Sequence, residues 1–299
     1  MRRYALLFIA LLMFAGCIKP QEQDDSFRYR LVVDGRIEQG RGAVVMLSQS
    51  MPYMSSYDED TYRKLAIWGA KVTIIHGEER SVLTSRRDSH YPTEYVYTGY
   101  EIMGEVGESY TIEIEYSGRS WRAEGSILPP IELHDIEVVA EGEDKYSIKA
   151  TLPPSLYPCS IDCSIDGSTY YAPTILGIYA PSDSERRITI NPPSDKLMRE
   201  GYSIMFSGKE RVTLRVNTLC DFGYTYWRKW EDNFINSVNP IFPSTSNLPT
   251  NISNDGMGIW SGYGTTYYPL GVLNKVKTAS DTKGQKEAEK GLKGLKGKI

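Results

Sequence analysis

In Tyr110-Thr111-Ile112-Glu113-Ile114-Glu115-Tyr116 every second residue is apolar. Successive side chains of an extended chain point to opposite faces, so this spacing specifies a strand with one face buried and one face wet. Ser117-Gly118 supplies a turn, and Trp121-Arg122-Ala123 begins the return strand. Tyr29–Val33, Ala43–Leu47 and Lys71–Ile75 read the same way. Such runs recur roughly every ten to twenty residues between turn signals. That rhythm favours sandwiches over alternating strand–helix units.

Leu128-Pro129-Pro130 interrupts the pattern. Proline fixes φ and lacks an N–H, so two in succession stop a sheet strand. Strand signals resume at Ile131–Val139, Tyr146–Leu152, Thr174–Tyr179, Arg187–Ile190, Tyr202–Phe206 and Arg211–Leu219. One segment changes period: Phe222, Tyr226, Trp230 and Phe234 follow each other at four-residue steps and stripe one side of a helix. Asp221 is the expected cap, and the face is expected to pack on a sheet. The fold class is therefore mainly β, with two β-sandwich-like domains of immunoglobulin-like or transthyretin-like character and one amphipathic helix in the second half. The expected division is 28–130 for the first sandwich and 131–272 for a second β-rich domain, with its helix at about 221–237.

The N-terminus reads as an address. Met1-Arg2-Arg3 is basic, Tyr4–Ala15 is a nearly unbroken apolar run, and Ala15-Gly16 precede Cys17. A dozen apolar residues fall short of the roughly 20 that a membrane span needs, and fit the core of a signal peptide. The order resembles the bacterial lipobox, with Phe14 where leucine is usual. Cys17 is thus the expected lipidation site after removal of residues 1–16, with 17–27 as a polar tether. Each buried acyl CH₂ contributes about 0.8 kcal/mol, so two or three chains hold a protein firmly on a membrane. Glu22, Asp24 and Asp25 resemble the acidic export signal of surface lipoproteins. The expected location is the outer membrane, with the cell-surface face favoured and the periplasmic face as the alternative.

Charge narrows the partners. The chain carries a net −4, yet the last 27 residues hold eight lysines against three acids. Without that tail and the two signal arginines, 24 basic face 35 acidic residues, about −11. An acidic body repels nucleic acid, so nucleic acid is not an expected partner. The Lys- and Gly-rich stretch 273–299 lacks apolar periodicity and is expected to be disordered. Beyond Cys17 three cysteines remain, and one disulfide is expected somewhere among Cys159, Cys163 and Cys220. His76, His90 and His134 have no ligand spacing, so no metal or cofactor is expected.

Catalytic signatures are missing: there is no Gly-x-Ser-x-Gly, no His-Glu-x-x-His and no phosphate-binding Gly-x-x-x-x-Gly-Lys. The acidic Tyr57-Asp58-Glu59-Asp60 lacks the spacing of a calcium loop and reads as surface. Tyr170-Tyr171 and Tyr267-Tyr268, with Trp260 and Tyr263, offer rings on which a ligand stacks. Of these, Trp260, Tyr263, Tyr267 and Tyr268 are the candidate binding residues, with core packing as the competing use. On a strand only half of each tyrosine pair shares a surface. The glycines at 256, 258, 262 and 264 read as a closing loop or edge strand.

Several motifs occur in a characteristic order. They are Leu31-Val32-Val33-Asp34-Gly35-Arg36-Ile37, Gly69-Ala70-Lys71-Val72-Thr73-Ile74, and Gly104-Glu105-Val106-Gly107 leading into Tyr110-Thr111-Ile112. Leu128-Pro129-Pro130, Tyr224-Thr225-Tyr226-Trp227 and a closing Asn251–Tyr263 segment follow, with Trp260 in place of a phenylalanine. This arrangement resembles the Bacteroidota lipoproteins catalogued as domain of unknown function 4249, over roughly residues 17–272. The resemblance implies genes beside outer-membrane receptors of the TonB-dependent class, and carries no catalytic residues. The function expected is a non-catalytic, lipid-anchored ligand- or receptor-binding accessory of such an uptake system. A structural or adhesive envelope protein is the alternative, and a carbohydrate-active hydrolase with two carboxylates the second. Replacing Cys17 by serine is expected to move the protein from the membrane to the soluble fraction. Mass spectrometry should find diacylglyceryl on the N-terminal peptide of the membrane-bound form; an unmodified peptide would contradict the lipidation reading.

Overall fold

The computed structural model describes residues 28–51, 63–196, 204–237 and 247–276. Every element below lies in one compact unit that begins at Arg30. The protein is mainly β. Eight strands build a central sheet. In chain order they are β1 (Leu31–Glu38), β2 (Gly42–Gln49), β5 (Thr84–Arg87), β6 (Tyr95–Met103), β11 (Cys159–Ile165), β12 (Ala172–Tyr179), β14 (Arg211–Thr218) and β15 (Met257–Val272). Their spatial order is β12-β11-β14-β15-β1-β2-β6-β5. A four-stranded sheet contains β3 (Lys71–His76), β4 (Glu79–Val82), β7 (Ser109–Tyr116) and β8 (Arg119–Ser126). A three-stranded sheet contains β9 (His134–Gly142), β10 (Lys145–Leu152) and β13 (Arg186–Ile190).

Each small sheet packs its apolar face against one half of the central sheet. The first core joins Val33, Ile37, Val45 and Leu47 to Val72, Ile74, Ile112, Ile114 and Trp121. The second joins Cys159, Ile161, Cys163, Leu214 and Val216 to Val138, Ile148, Ala150 and Ile188. Both are sandwich cores built from alternate residues. The chain passes from one to the other at Leu128-Pro129-Pro130, where Ile127 belongs to the first and Ile131 to the second, and Ile252 and Trp260 later return to the first. The sheet itself does not part there.

The strand that joins the halves is β15. Met257–Tyr263 pair in parallel with Val32–Glu38 of β1. Gly264 to Val272 then pair antiparallel with β14. A closing loop or edge strand was the expectation for the first of these residues; they form the middle of the sheet instead. The glycines make that possible by close approach. A Cβ on Gly258 would sit 1.9 Å from the Val33 carbonyl oxygen, and one on Gly264 would sit 2.0 Å from that of Leu128. Trp260 enters the first core with no exposure, its indole N–H donating to the Tyr110 carbonyl at 2.9 Å.

Other expectations are refined. The α-helix α1 spans Asp221–Ser237, as its aromatic period predicts. Its cap is Cys220 rather than Asp221, because the Cys220 Sγ accepts the Gly223 N–H at 3.4 Å. Tyr224 and Trp227 seat the helix on Ile178, Leu219 and Tyr263. Within the predicted strand 202–206, Phe206 makes only an isolated bridge to Tyr146. The folded body extends past Val272: Leu273 is fully buried in a 3₁₀ turn, Leu273–Lys275. The remainder of the basic tail, Cys17, the tether and Tyr57–Asp60 lie outside the described residues.

Gly258 has φ +95°, a conformation that side chains with a Cβ rarely take. Gly77, at φ +58°, has nothing near its Cβ position. Gly77→Ala is expected to cost only the backbone penalty of about 1–2 kcal/mol. Gly258→Ala adds a main-chain collision, and is expected to lower the urea midpoint well beyond that. Equal midpoints for the two variants would contradict the central placement of β15.

Candidate functional site

The face of the central sheet opposite the two cores carries the site. On β1, Leu31, Val33 and Ile37 enter the first core, which turns Asp34, Arg36 and Glu38 to the other side. On β11, Ser160, Asp162 and Ser164 alternate with core residues. On β14, Arg215 and Asn217 do the same. Register places Asp162 opposite Arg215 and Arg215 opposite Tyr267, a row across three neighbouring strands.

These side chains form a connected charge lattice. Arg215 donates through Nε and Nη2 to Asp162 Oδ2 at 3.2 and 2.7 Å, and through Nη1 to Glu38 Oε1 at 3.1 Å. Arg36 Nε lies 2.7 Å from the same Glu38 oxygen, and its Nη2 donates to Asn217 Oδ1 at 2.7 Å. Asn217 Nδ2 donates to Asp162 Oδ2 at 2.8 Å. The Tyr267 hydroxyl donates to the remaining Glu38 oxygen. Rings complete the coordination: Arg36 lies over Tyr263, Arg215 over Tyr171 and Arg41 over Tyr267, each 4.4–4.6 Å from the centroid.

Burial alone would raise the Glu38 carboxyl, but Arg36, Arg215 and the Tyr267 hydroxyl outweigh it and hold the group at about 2. Arg215 is held above its ordinary value: burial disfavours its charge, and Asp162 and Glu38 more than compensate. Burial pushes the phenols of Tyr263 and Tyr267 up to about 12, so both stay protonated, Tyr267 as the donor to Glu38 and Tyr263 as the acceptor of the Trp227 N–H. Glu38 and Arg215 therefore stay charged below the protein surface. Each is stabilised by its partners, not by water.

The lattice floors a cavity of about 420 Å³. Met46 of β2, Tyr100 of β6 and Trp227 of α1 extend its walls. Two loops meet at it. Thr169, between β11 and β12, donates to Asp88 Oδ2 at 3.0 Å, and Asp88 lies between β5 and β6. The rings of Tyr91 and Tyr170, one from each loop, meet edge to face at 5.5 Å. Burial raises the Asp88 carboxyl, but hydrogen bonds from His90, Arg86 and Thr169 bring it down to about 2. The clasp thus joins loops from opposite edges of the sheet beside the polar floor.

The four aromatic candidates divide evenly. Tyr263 and Tyr267 line the cavity; Trp260 and Tyr268 do not. Tyr268 packs against the second core, and its hydroxyl accepts the Leu133 N–H at 2.6 Å. Adjacent strand residues face apart, as Tyr267 and Tyr268 do. Tyr170 and Tyr171 escape that rule because they precede β12 in a loop, and both line the cavity. Asp34, Arg36, Glu38, Asp162 and Arg215 were not singled out from sequence; charges on alternate strand positions read there as a wet face.

The expected disulfide is corrected: Cys159, Cys163 and Cys220 are all unpaired. Cys159 and Cys163 belong to one strand, four residues apart. At about 3.3 Å per residue their Cα atoms stand some 13 Å apart, twice what a bridge spans. Burial pushes both thiols up, which keeps them inert. Cys220 sits at the helix start, 3.9 Å from Ser261 Oγ. Among the described residues no three His, Cys, Asp or Glu side chains are grouped to hold a metal ion.

A depressed carboxylate stabilises the fold above its ordinary value and stops doing so as pH falls through its folded one. Glu38→Gln is therefore expected to cost about 3–5 kcal/mol at pH 7, the usual penalty for breaking a buried pair. The gap to the unsubstituted protein should narrow as pH falls from about 4.5 to about 2. Urea unfolding across that range measures it; a gap that does not vary with pH would contradict the lattice.

No curated protein matches this chain. A family model, Domain of unknown function (DUF4249), matches residues 18–268. That span takes in the central sheet up to the last four residues of β15, and the chain belongs to the DUF4249 family.

Proposed function

We propose that this chain is a non-catalytic, lipid-anchored outer-membrane protein that holds a small ligand in the cavity on its central sheet. Its place is that of an accessory to a TonB-dependent uptake system, with Cys17 as the membrane anchor. The cavity carries this reading. At about 420 Å³ it lies within the size range of small-molecule sites. Its rings are held by guanidiniums, and the guanidiniums by carboxylates, so the walls are fixed before a ligand arrives. Preorganisation of that kind reduces the entropy lost on binding.

A spacer or adhesin gains nothing from burying four charges beside an open space. Hydrolysis by two carboxylates needs one that gives up a proton near neutral pH. Glu38 is held far below that range, and Asp162 is occupied by Arg215 and Asn217. Both are better suited to shaping a wall than to moving protons.

Purification from native outer membranes in mild detergent, followed by native mass spectrometry, tests the proposal. A bound small molecule and a co-purifying receptor are expected, with the small molecule lost from a Tyr267→Ala variant that stays folded. Protein that carries no small molecule and no receptor under several growth conditions would contradict it.

A further inference from the structure

Asp34 is the carboxyl that the lattice leaves over. It lines the cavity beside Met46, its partner across β1 and β2. Among the described residues it makes no hydrogen bond, and no cation pairs with it. Arg36 and Arg215, the cations whose fields reach it, are engaged by Glu38, Asp162 and Asn217. Arg36, Arg41, Arg86 and Arg215 line the cavity with Asp34, Glu38 and Asp162, and each of those four cations has a carboxylate partner while Asp34 has no cation. Arg41 stands at the margin, its side chain 61% exposed, and Arg86 is paired with Asp88. Asp34 is only partly buried, and its carboxyl oxygens are left for water or for a guest in the cavity.

The titratable groups whose charge couples to Asp34 sit on several elements: Arg36 on β1, Asp162 on β11, Tyr170 before β12, Arg215 on β14, Tyr226 on α1 and Tyr263 on β15. Three are phenols. The Tyr170 hydroxyl, which lines the cavity, makes no hydrogen bond among the described residues. An ammonium group suits this position: it supplies the Asp34 carboxyl with the cationic donor that no neighbouring side chain gives it. The rest of such a molecule meets Met46, Tyr171 and Tyr267, which are apolar or aromatic and favour a hydrophobic body.

We propose that the cavity takes a monocationic ligand, an amine with an apolar or aromatic body, whose ammonium group pairs with Asp34. This assignment rests on the ligand-binding reading above and names the class of ligand. Burial raises the Asp34 carboxyl above its ordinary range, against the pull of Arg36 and Arg215, with Asp162 adding to the rise. An arriving ammonium reverses that balance, so binding favours the ionised carboxyl and is linked to loss of its proton. The sign follows: amine affinity falls as pH is lowered through the range in which the empty site takes up a proton.

Three near-isosteric probes test the assignment on the full-length protein by isothermal titration: phenethylamine, phenethyl alcohol and phenylacetate. The amine is expected to bind at least about tenfold tighter than the alcohol, as a charge-assisted contact implies, and the acid weakest. Asp34→Asn, nearly isosteric, should lose that preference, and Asp34→Glu should keep it; circular dichroism melts confirm that both fold. Lowering pH should weaken amine binding to the unsubstituted protein and leave Asp34→Asn unaffected. Equal binding of amine and alcohol, retention of the preference by Asp34→Asn, or binding of none of the three overturns the assignment. If the acid or alcohol binds and Tyr267→Ala abolishes it, the cavity reading stands and only the cationic class fails. If nothing binds and native protein carries no small molecule, both fail.

Discussion

The contact on which the rest turns is the three-point grip of Arg215 on Asp162 and Glu38. It joins β14 to β11 on one side and reaches across β15 to β1 on the other. Those four strands are where the two sandwich halves meet in one sheet. A guanidinium at that seam is out of water, so its stabilisation comes wholly from partners in fixed geometry. The fixed geometry positions the rings: Tyr171 under Arg215, Tyr263 under Arg36, Tyr267 bonded to Glu38. The cavity is thus shaped by electrostatics on its floor and by hydrophobic seating of α1 on its wall.

Such an arrangement differs from an ordinary sandwich, whose outer faces are left to solvent. Here one face of the large sheet rests on two small sheets, and the other has a helix and a loop clasp against it. Strand interiors on that second face therefore had to be neither apolar nor freely hydrated. Paired charges and phenols meet that requirement, because they satisfy one another and still present polar edges to a guest. The unpaired carboxyl of Asp34 departs from it, and a departure of this kind in a cavity is where a ligand is sought.

Much of the fold was legible in the sequence because alternation reports which residues turn inward. The strands around Tyr110–Tyr116, the division of the cores at Leu128-Pro129-Pro130 and the helix from Asp221 all follow from period and proline chemistry. Strand β11 was hidden because Cys159-Ser160-Ile161-Asp162-Cys163 alternates in small residues, and its cysteines suggested a bridge. Strand β15 was hidden because glycine is depleted in strands, and here it serves close packing of main chains. The site was the least legible part. Alternation says that Asp34, Arg36 and Glu38 share a face, but not that anything covers that face. Arg215 stands 53 residues from Asp162 and 177 from Glu38, and no local pattern connects them. Tyr263 and Tyr267 were found because aromatic residues attract notice in any setting; their partners were not.

Whether the lattice serves the ligand or merely the fold is the central question, and one variant separates the two. Replacing Arg36 and Arg215 by methionine and Glu38 and Asp162 by leucine removes the four charges of the lattice together, so that none of the four outlives its partner. Buried ion networks exchanged whole for apolar groups of similar size are often neutral or stabilising. The decisive measurement is the urea midpoint of this fourfold variant, taken with native mass spectrometry of the same preparation. The account predicts a midpoint equal to or above that of the natural protein, together with loss of the bound small molecule. A collapsed midpoint, or a ligand still retained, would contradict it.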